Sequence, residues 1–398
     1  MNIKSYAVVT ASYWGFTLTD GALRMLVLLH FHALGYSPVS LAFLFLLYEF
    51  CGVLTNLLGG WVGSRVGLKS TLFSGLALQV LALVMLSLVN PAWAATLSVS
   101  YVMASQALSG IAKDLTKMSS KSAVKLLVSE DDGALFKWVA ILTGSKNALK
   151  GVGFLLGGVL LTWLGFVQSL WLMAAALAIV LIAALVFLGQ DMGKSARKVK
   201  FTQLFSKSRE INWLSAARLF LFASRDVWFV VALPVFLKSN LDWSFNQVGS
   251  FMAAWVIGYG LVQASAPRFV RSHHPRSSAL RWVGLLTLTT AALAAVLQFD
   301  FHPVASLLTG LAVFGVIFAV NSAVHSYLIL SFTSNDQVAL NVGFYYMANA
   351  WGRLVGTLLS GVMFLVGGLP ACLWTSAALL LAACLFTLPL RPKAGSDC

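Results

Sequence analysis

Apolar runs of about 20 residues, long enough to cross a bilayer, recur along the whole chain between short polar turns. They fall near residues 6–33, 39–63, 70–90, 92–112, 134–163, 169–189, 213–237, 247–267, 279–298, 303–330, 339–366 and 369–390. Twelve such runs predict an all-α membrane protein of twelve transmembrane helices. A basic linker at 190–212 divides them into an N-terminal six-helix half, 1–189, and a C-terminal six-helix half, 213–398. The first run follows Lys4, continues to about Ala33 and has no small-residue cleavage site after it, so it reads as a retained helix.

The two halves carry a repeat. Shifting the numbering by 203 lays Lys150-Gly-Val-Gly-Phe-Leu-Leu-Gly-Gly158-Val159 over Arg353-Leu-Val-Gly-Thr-Leu-Leu-Ser-Gly361-Val362. A cation heads each copy, and Gly153 matches Gly356 as Gly158 matches Gly361. Paired repeats of this kind, with polar groups near the midplane, are how membrane carriers are built around a shared site.

Polar positions inside the apolar runs stand out because an ionised side chain at membrane depth costs at least ~2.5 kcal/mol. In the first run Tyr13, Thr17, Asp20 and Arg24 share one helical face, and Asp20 and Arg24 can pair at i,i+4. Glu49 lies mid-run in the second. In the fifth, Lys146, Lys150, Gly153 and Gly157 make one stripe, which Asn349, Arg353, Gly356 and Ser360 repeat in the eleventh beside Tyr345. The seventh carries Arg218, placed to snorkel toward the membrane surface or to face a partner. It also carries Arg225 and Asp226, whose side chains diverge by about 100° on a helix and are not expected to pair. The tenth carries Asn321, Ser322 and His325.

Composition agrees: 59% of residues are hydrophobic, 10% are charged and the mean hydropathy is +0.85. The formal charge of +14 suggests nucleic acid until its distribution is considered. Twenty of the 27 Lys and Arg fall in loops and ends on one side of the spans, six lie within spans, and only Lys238 lies in a loop of the other side. This positive-inside asymmetry puts both termini in the cytoplasm and leaves the bilayer, not nucleic acid, as the partner of the surface. Cys51, Cys372, Cys384 and Cys398 show no paired spacing and read as small apolar residues, with no metal site or disulfide. No HExxH or GxSxG motif suggests an enzyme, and no cofactor is implied.

Two polar segments interrupt the pattern. Residues Lys113 to Lys137 form a long charged stretch, read as a surface segment with Lys117, Lys121 and Lys125 at four-residue spacing. Between the second and third runs, Gly60-Trp-Val-Gly-Ser64-Arg65-Val-Gly67-Leu-Lys69 resembles the cytoplasmic loop signature of the major facilitator superfamily. Ser64 stands where that signature has aspartate. Gly60, Arg65, Gly67 and Lys69 are then candidates for a conformational loop.

Within the spans, Arg24, Lys146, Lys150, Arg218, Arg225 and Arg353 outnumber Asp20, Glu49 and Asp226. Buried charge requires compensation, and an anionic substrate would supply it. The candidate substrate-binding residues are Arg24, Lys146, Lys150, Arg225, Arg353, Asn349, Tyr345 and Tyr13, and the candidate proton-coupling residues are Asp20, Glu49, Asp226 and His325.

The segments FTLTDGALRMLVLLHFHALGYSP, GIAKDLTKMSSKSAVKLL, FKWVAILTGSKNALKGVGFLLGG and NSAVHSYLILS…VALNVGFYYMANAWGRL resemble the organoarsenical efflux permeases, the ArsJ type, of the major facilitator superfamily. The resemblance covers nearly the whole chain. It implies a major facilitator fold and export of 1-arseno-3-phosphoglycerate across the bacterial inner membrane. A glyceraldehyde-3-phosphate dehydrogenase that accepts arsenate would make this substrate. The related organophosphate carriers place arginines on the first and seventh helices, here Arg24 and Arg225. Arsenate resistance follows from such export; proton antiport, read from Asp20, Glu49, Asp226 and His325 within the spans, and a monomer complete the expectation. Export of another organic or phosphorylated anion, or drug/proton antiport, are the alternatives.

Overall fold

The computed structural model describes residues 3–66, 68–90, 92–127, 132–188, 208–265, 275–299, 303–332 and 338–390. Among the described residues every regular element is helical. The eleven helices are α1 (Ile3–Ala33), α2 (Pro38–Val66), α3 (Leu68–Ser87), α4 (Ala95–Leu127), α5 (Asp132–Phe187), α6 (Arg209–Phe229), α7 (Ala232–Ser239), α8 (Phe245–Ser265), α9 (Pro275–Gln298), α10 (Pro303–Ser331) and α11 (Val338–Thr387). Residue 67 and most of the 190–212 linker lie outside the described residues, as do the side chains at 60 and 65. Lys69 is described, and its Nζ donates to the carbonyl of Leu188 at the end of α5, 2.9 Å away.

Two helices are too long to be single spans. The 56 residues of α5 would extend about 84 Å as one rod, against a hydrocarbon thickness of about 30 Å. The rod breaks at Gly165, where φ is 76° and ψ −173°, a conformation only glycine adopts without strain. The chain then folds back, so Ser169 Oγ donates to the Leu160 carbonyl, nine residues away, at 3.0 Å. The 50 residues of α11 break in the same way at Gly367 and Gly368, just before Pro370. Conversely α6 and α7 together form one apolar stretch, Arg209–Ser239. Among the described residues, eight stretches are long and apolar enough to cross a membrane, two of them, Ser145–Phe187 and Asn341–Thr387, more than 40 residues long. The 31-residue α1 and the 33-residue α4 have the length as well, but polar side chains interrupt them.

Helix ends follow from local chemistry. Gly35, at φ 83°, donates its N–H to the His32 carbonyl at 2.9 Å and closes α1. Ser37 then caps α2, its Oγ accepting the Ser40 N–H at 3.2 Å with Pro38 at the first helical position.

The chain forms two compact units. One comprises Met1–Tyr36, Phe43–Phe201 and Leu237–Ile257, the other Ser37–Ala42, Thr202–Phe236 and Gly258–Cys398. In the first, Val9 and Phe16 of α1, Leu72 and Leu76 of α3, Ala112 of α4, and Leu177 and Ala184 of α5 pack into one core. In the second, Ile211 and Leu214 of α6, Ala279 of α9, Val324 and Leu328 of α10, and Tyr345 of α11 do the same. Large apolar side chains elsewhere point outward, among them Trp163, Ile179, Val186, Leu261, Leu288 and Val366, each more than 60% exposed. In water such surface would drive aggregation; against lipid it is the expected exterior.

Candidate functional site

The first unit organises its polar groups around α1, α2 and α4. Arg24 does not pair with Asp20, as i,i+4 spacing allows. Its Nη2 donates instead to Glu49 Oε1 on α2 at 2.6 Å, with the two side chains 9% and 1% exposed. Asp20 accepts a hydrogen bond from the Tyr48 hydroxyl, also at 2.6 Å. Adjacent residues of α2 thus take both charged positions of α1. The Tyr48 ring lies 5.2 Å from the Arg24 guanidinium carbon and 4.0 Å from Lys113 Nζ, where its π electrons favour cations. Tyr13 and Thr17 are buried on the same α1 face, Thr17 returning its hydroxyl to the Tyr13 carbonyl at 2.7 Å.

The charged stretch after Lys113 is not a surface segment at its start. Helix α4 runs through it to Leu127, and Asp114 is wholly buried. Asp114 accepts bonds from Lys117 Nζ at 2.7 Å, Thr55 Oγ1 at 2.9 Å and Asn56 Nδ2 at 3.3 Å, while Lys117 also reaches Asn56 Oδ1 at 2.8 Å. The carboxylate is therefore compensated by charge and saturated by donors, which is what burial requires. Its signal was legible: Ser105, Ser109, Ala112, Thr116 and Ser119 carry one buried helical face past the expected end of the span.

Helix α5 packs on α1 through glycines. A β-carbon at Gly153 would lie 2.6 Å from the Leu18 carbonyl oxygen, and one at Gly157 2.5 Å from that of Ala22. Lys146 and Lys150 on the same stripe are half-buried, Lys150 Nζ lying 5.7 Å from the Phe154 ring.

The second unit repeats this plan with α11 on α6. Gly352 packs directly on the Leu219 carbonyl, and a β-carbon at Gly356 would come 2.7 Å from the Ala223 oxygen and 2.8 Å from the Asp226 Cβ. Ser360 Oγ accepts the N–H groups of Val231 and Ala232 at 3.2 and 3.0 Å. This close approach lets Arg353 Nε reach Asp226 Oδ2 at 3.3 Å. Arg225 and Asp226, not expected to pair, do so: Nε and Nη2 of Arg225 lie 2.6 and 2.5 Å from Asp226 Oδ1. Neighbouring Cβ atoms do diverge on a helix, but the long arginine side chain sweeps round the backbone to the short aspartate.

Arg218 does not snorkel. It is 4% exposed, its Nε donating to Asn349 Oδ1 at 3.0 Å and its Nη1 to the Ser322 carbonyl and Oγ at 3.2 and 3.1 Å. The rings of Phe222 and Tyr345 lie 4.0 and 5.1 Å from its guanidinium carbon. Tyr345 and Asn349 therefore belong to Arg218, which the sequence left undecided. His325 and Asn321 are wholly buried on α10, and neither side chain bonds any described group.

The major facilitator superfamily model matches residues 7–233 and 214–397. The chain belongs to that superfamily: it is a multi-pass membrane transporter and not an enzyme. No curated protein is a detectable sequence relative. Among solved structures, the nucleoside transporter NupG is similar over 98% of this chain and 99% of its own at a TM-score of 0.74 and 16% identity. A bacterial homologue of the iron transporter ferroportin, in its inward-facing state, matches over 98% and 99% at 0.71 and 15%. The human organic anion transporter MFSD10 matches over 96% and 99% at 0.69 and 17%. At these identities the likeness is one of fold alone.

Proposed function

We propose that this transporter exports an organic anion bearing phosphate- or arsenate-type groups. Given the resemblance of its sequence blocks, that anion is 1-arseno-3-phosphoglycerate, and its export confers arsenate resistance. The observation that carries the reading is the charge balance where α6 and α11 meet. Beyond the first turn of α6, three arginines of these helices, Arg218, Arg225 and Arg353, are set against one carboxylate, Asp226. Guanidinium forks match phosphate and arsenate oxygens, and an anionic substrate supplies the missing charge. A carrier of cationic drugs would call for the opposite excess. Arg24, Lys146, Lys150, Arg225 and Arg353 remain the proposed substrate contacts, with Tyr13, Tyr345 and Asn349. Alternating access is the proposed cycle and proton antiport the proposed coupling, through Asp20, Glu49, Asp226 or His325. The setting is the bacterial inner membrane with both termini cytoplasmic. The proposed functional partner is a glyceraldehyde-3-phosphate dehydrogenase that makes the substrate.

The test is arsenate tolerance of arsenic-sensitive bacteria carrying the transporter, the dehydrogenase, both or neither. Resistance and lowered cellular arsenic only when both are present support the reading. No resistance in any pairing, with the transporter correctly inserted, rules out the organoarsenical. Failure of membrane vesicles to move any phosphorylated or carboxylated anion rules out the class.

A further inference from the structure

We propose that Arg218, Ser322 and Asn349 form a seat for one oxyanion group of the substrate, with His325 behind it. This rests on the reading of the chain as an anion carrier and names a contact that the sequence did not assign. Arg225 and Arg353 already share a carboxylate, Asp226. Arg218 has none: among the described residues its partners are an amide oxygen, a backbone carbonyl and a hydroxyl, all neutral. A guanidinium buried to 4% exposure with neutral acceptors alone retains most of its attraction for an anion.

The surroundings suit that ligand. Tyr259 OH and Gln263 Nε2 of α8 lie 3.5 and 3.3 Å from Ser322 Oγ. With Asn349 and Ser322 they give a shell of amides and hydroxyls that can donate to an anion, and no carboxylate is among them. Phe222 and Tyr345 hold the guanidinium in orientation. His325 stands one turn beyond Ser322 on α10. Both its ring nitrogens are buried and bond no described group, although buried polar groups are normally satisfied. Arg218 Nε now donates to a single amide oxygen and Nη2 to no described group. An entering phosphate- or arsenate-type group would take Nε and Nη2 as a fork, displace the Asn349 oxygen and leave that amide free to turn its NH2 toward the anion.

The experiment uses the full chain purified in detergent, with 3-phosphoglycerate as probe and glycerol as neutral control, read by calorimetry. Arg218→Lys is expected to weaken probe binding about ten- to hundredfold, the range of a lost charge-assisted hydrogen bond or two. The deciding variant is Asn349→Asp, which gives Arg218 an internal carboxylate. The protein is expected to fold and unfold at a higher temperature than the parent, yet to lose the probe. A merely structural role for Arg218 would not separate those two readouts. Probe binding by Asn349→Asp or Arg218→Lys equal to the parent's overturns the seat while leaving the anion carrier intact. No binding of the probe by the parent, together with no anion flux in vesicles, overturns the carrier reading itself.

Discussion

Arg353 on α11 reaches the oxygen of Asp226 that Arg225 leaves open, so one buried carboxylate holds two arginines, at 2.5 Å for Arg225 Nη2 and 3.3 Å for Arg353 Nε. The aspartate side chain is 1% exposed and the arginines 15% and 16%. Removing the carboxylate withdraws an ion-pair partner from two cations rather than one. Asp226→Asn, nearly the same shape, is therefore expected to destabilise the second unit by about 3 to 5 kcal/mol, the usual cost of breaking a buried pair. Thermal unfolding of the detergent-solubilised protein checks this, and a melting temperature equal to the parent's would show that Asp226 compensates neither arginine.

The glycines that bring α11 onto α6 make that ion pair reachable. A methyl group at Gly356 would meet the Ala223 carbonyl at 2.7 Å and the Asp226 Cβ at 2.8 Å, and backbone cannot yield cheaply. Gly356→Ala is expected to cost about 1 to 3 kcal/mol as an overpacked contact and to weaken the Arg353–Asp226 bond along with it. Gly258→Ala on α8 is the control, since nothing lies within 4 Å of its added carbon; it is expected to be neutral or slightly stabilising through helix propensity. Equal melting temperatures for the two variants would contradict close packing at Gly356.

The sequence displayed the scaffold more fully than the polar contacts. Gly153 and Gly356, equivalent in the repeat, occupy equivalent helix contacts, because close approach requires a missing side chain whatever else surrounds it. Which charge pairs with which was not legible from spacing. Asp20 and Arg24 stand at the ideal i,i+4 interval, yet each is taken by a neighbouring position on α2, because a second helix offers a partner that periodicity on one helix does not reveal. Asp114 went unnoticed for the opposite reason. It sits among lysines that look like a solvated loop, whereas the buried serine and threonine face of α4 continues beneath them.

Arg24 and Glu49 form a nearly enclosed pair at 2.6 Å. Arg24→Leu alone leaves a buried carboxylate and Glu49→Leu alone a buried guanidinium, so each single variant is expected to unfold well below the parent. The double variant removes both charges and is expected to recover most of the stability. It is not expected to recover anion export, since Arg24 is a proposed substrate contact. Melting temperatures and efflux rates of the four proteins close the cycle. Additive losses would show that the two residues are energetically independent.

Asp20 differs from the other buried carboxylates. Glu49 holds Arg24, Asp226 holds two arginines and Asp114 holds Lys117. Among the described residues Asp20 holds only the Tyr48 hydroxyl. Neutralising any of the other three by substitution removes an ion pair; neutralising Asp20 removes none among the described residues. Asp20 is therefore the carboxylate that a neutral substitution can probe without removing an ion pair among the described residues, and the first to test for the proposed coupling role. Asp20→Asn, which fixes the uncharged form, is expected to leave folding and substrate counterflow in vesicles near parental levels. Net export driven by a proton gradient is expected to be lost. Tyr48→Phe, which removes the hydroxyl but not the carboxyl, is expected to slow gradient-driven export without abolishing it. Gradient-driven export by Asp20→Asn at the parental rate would move the coupling role to another residue, with His325, buried and carrying no carboxylate partner among the described residues, as the next to substitute.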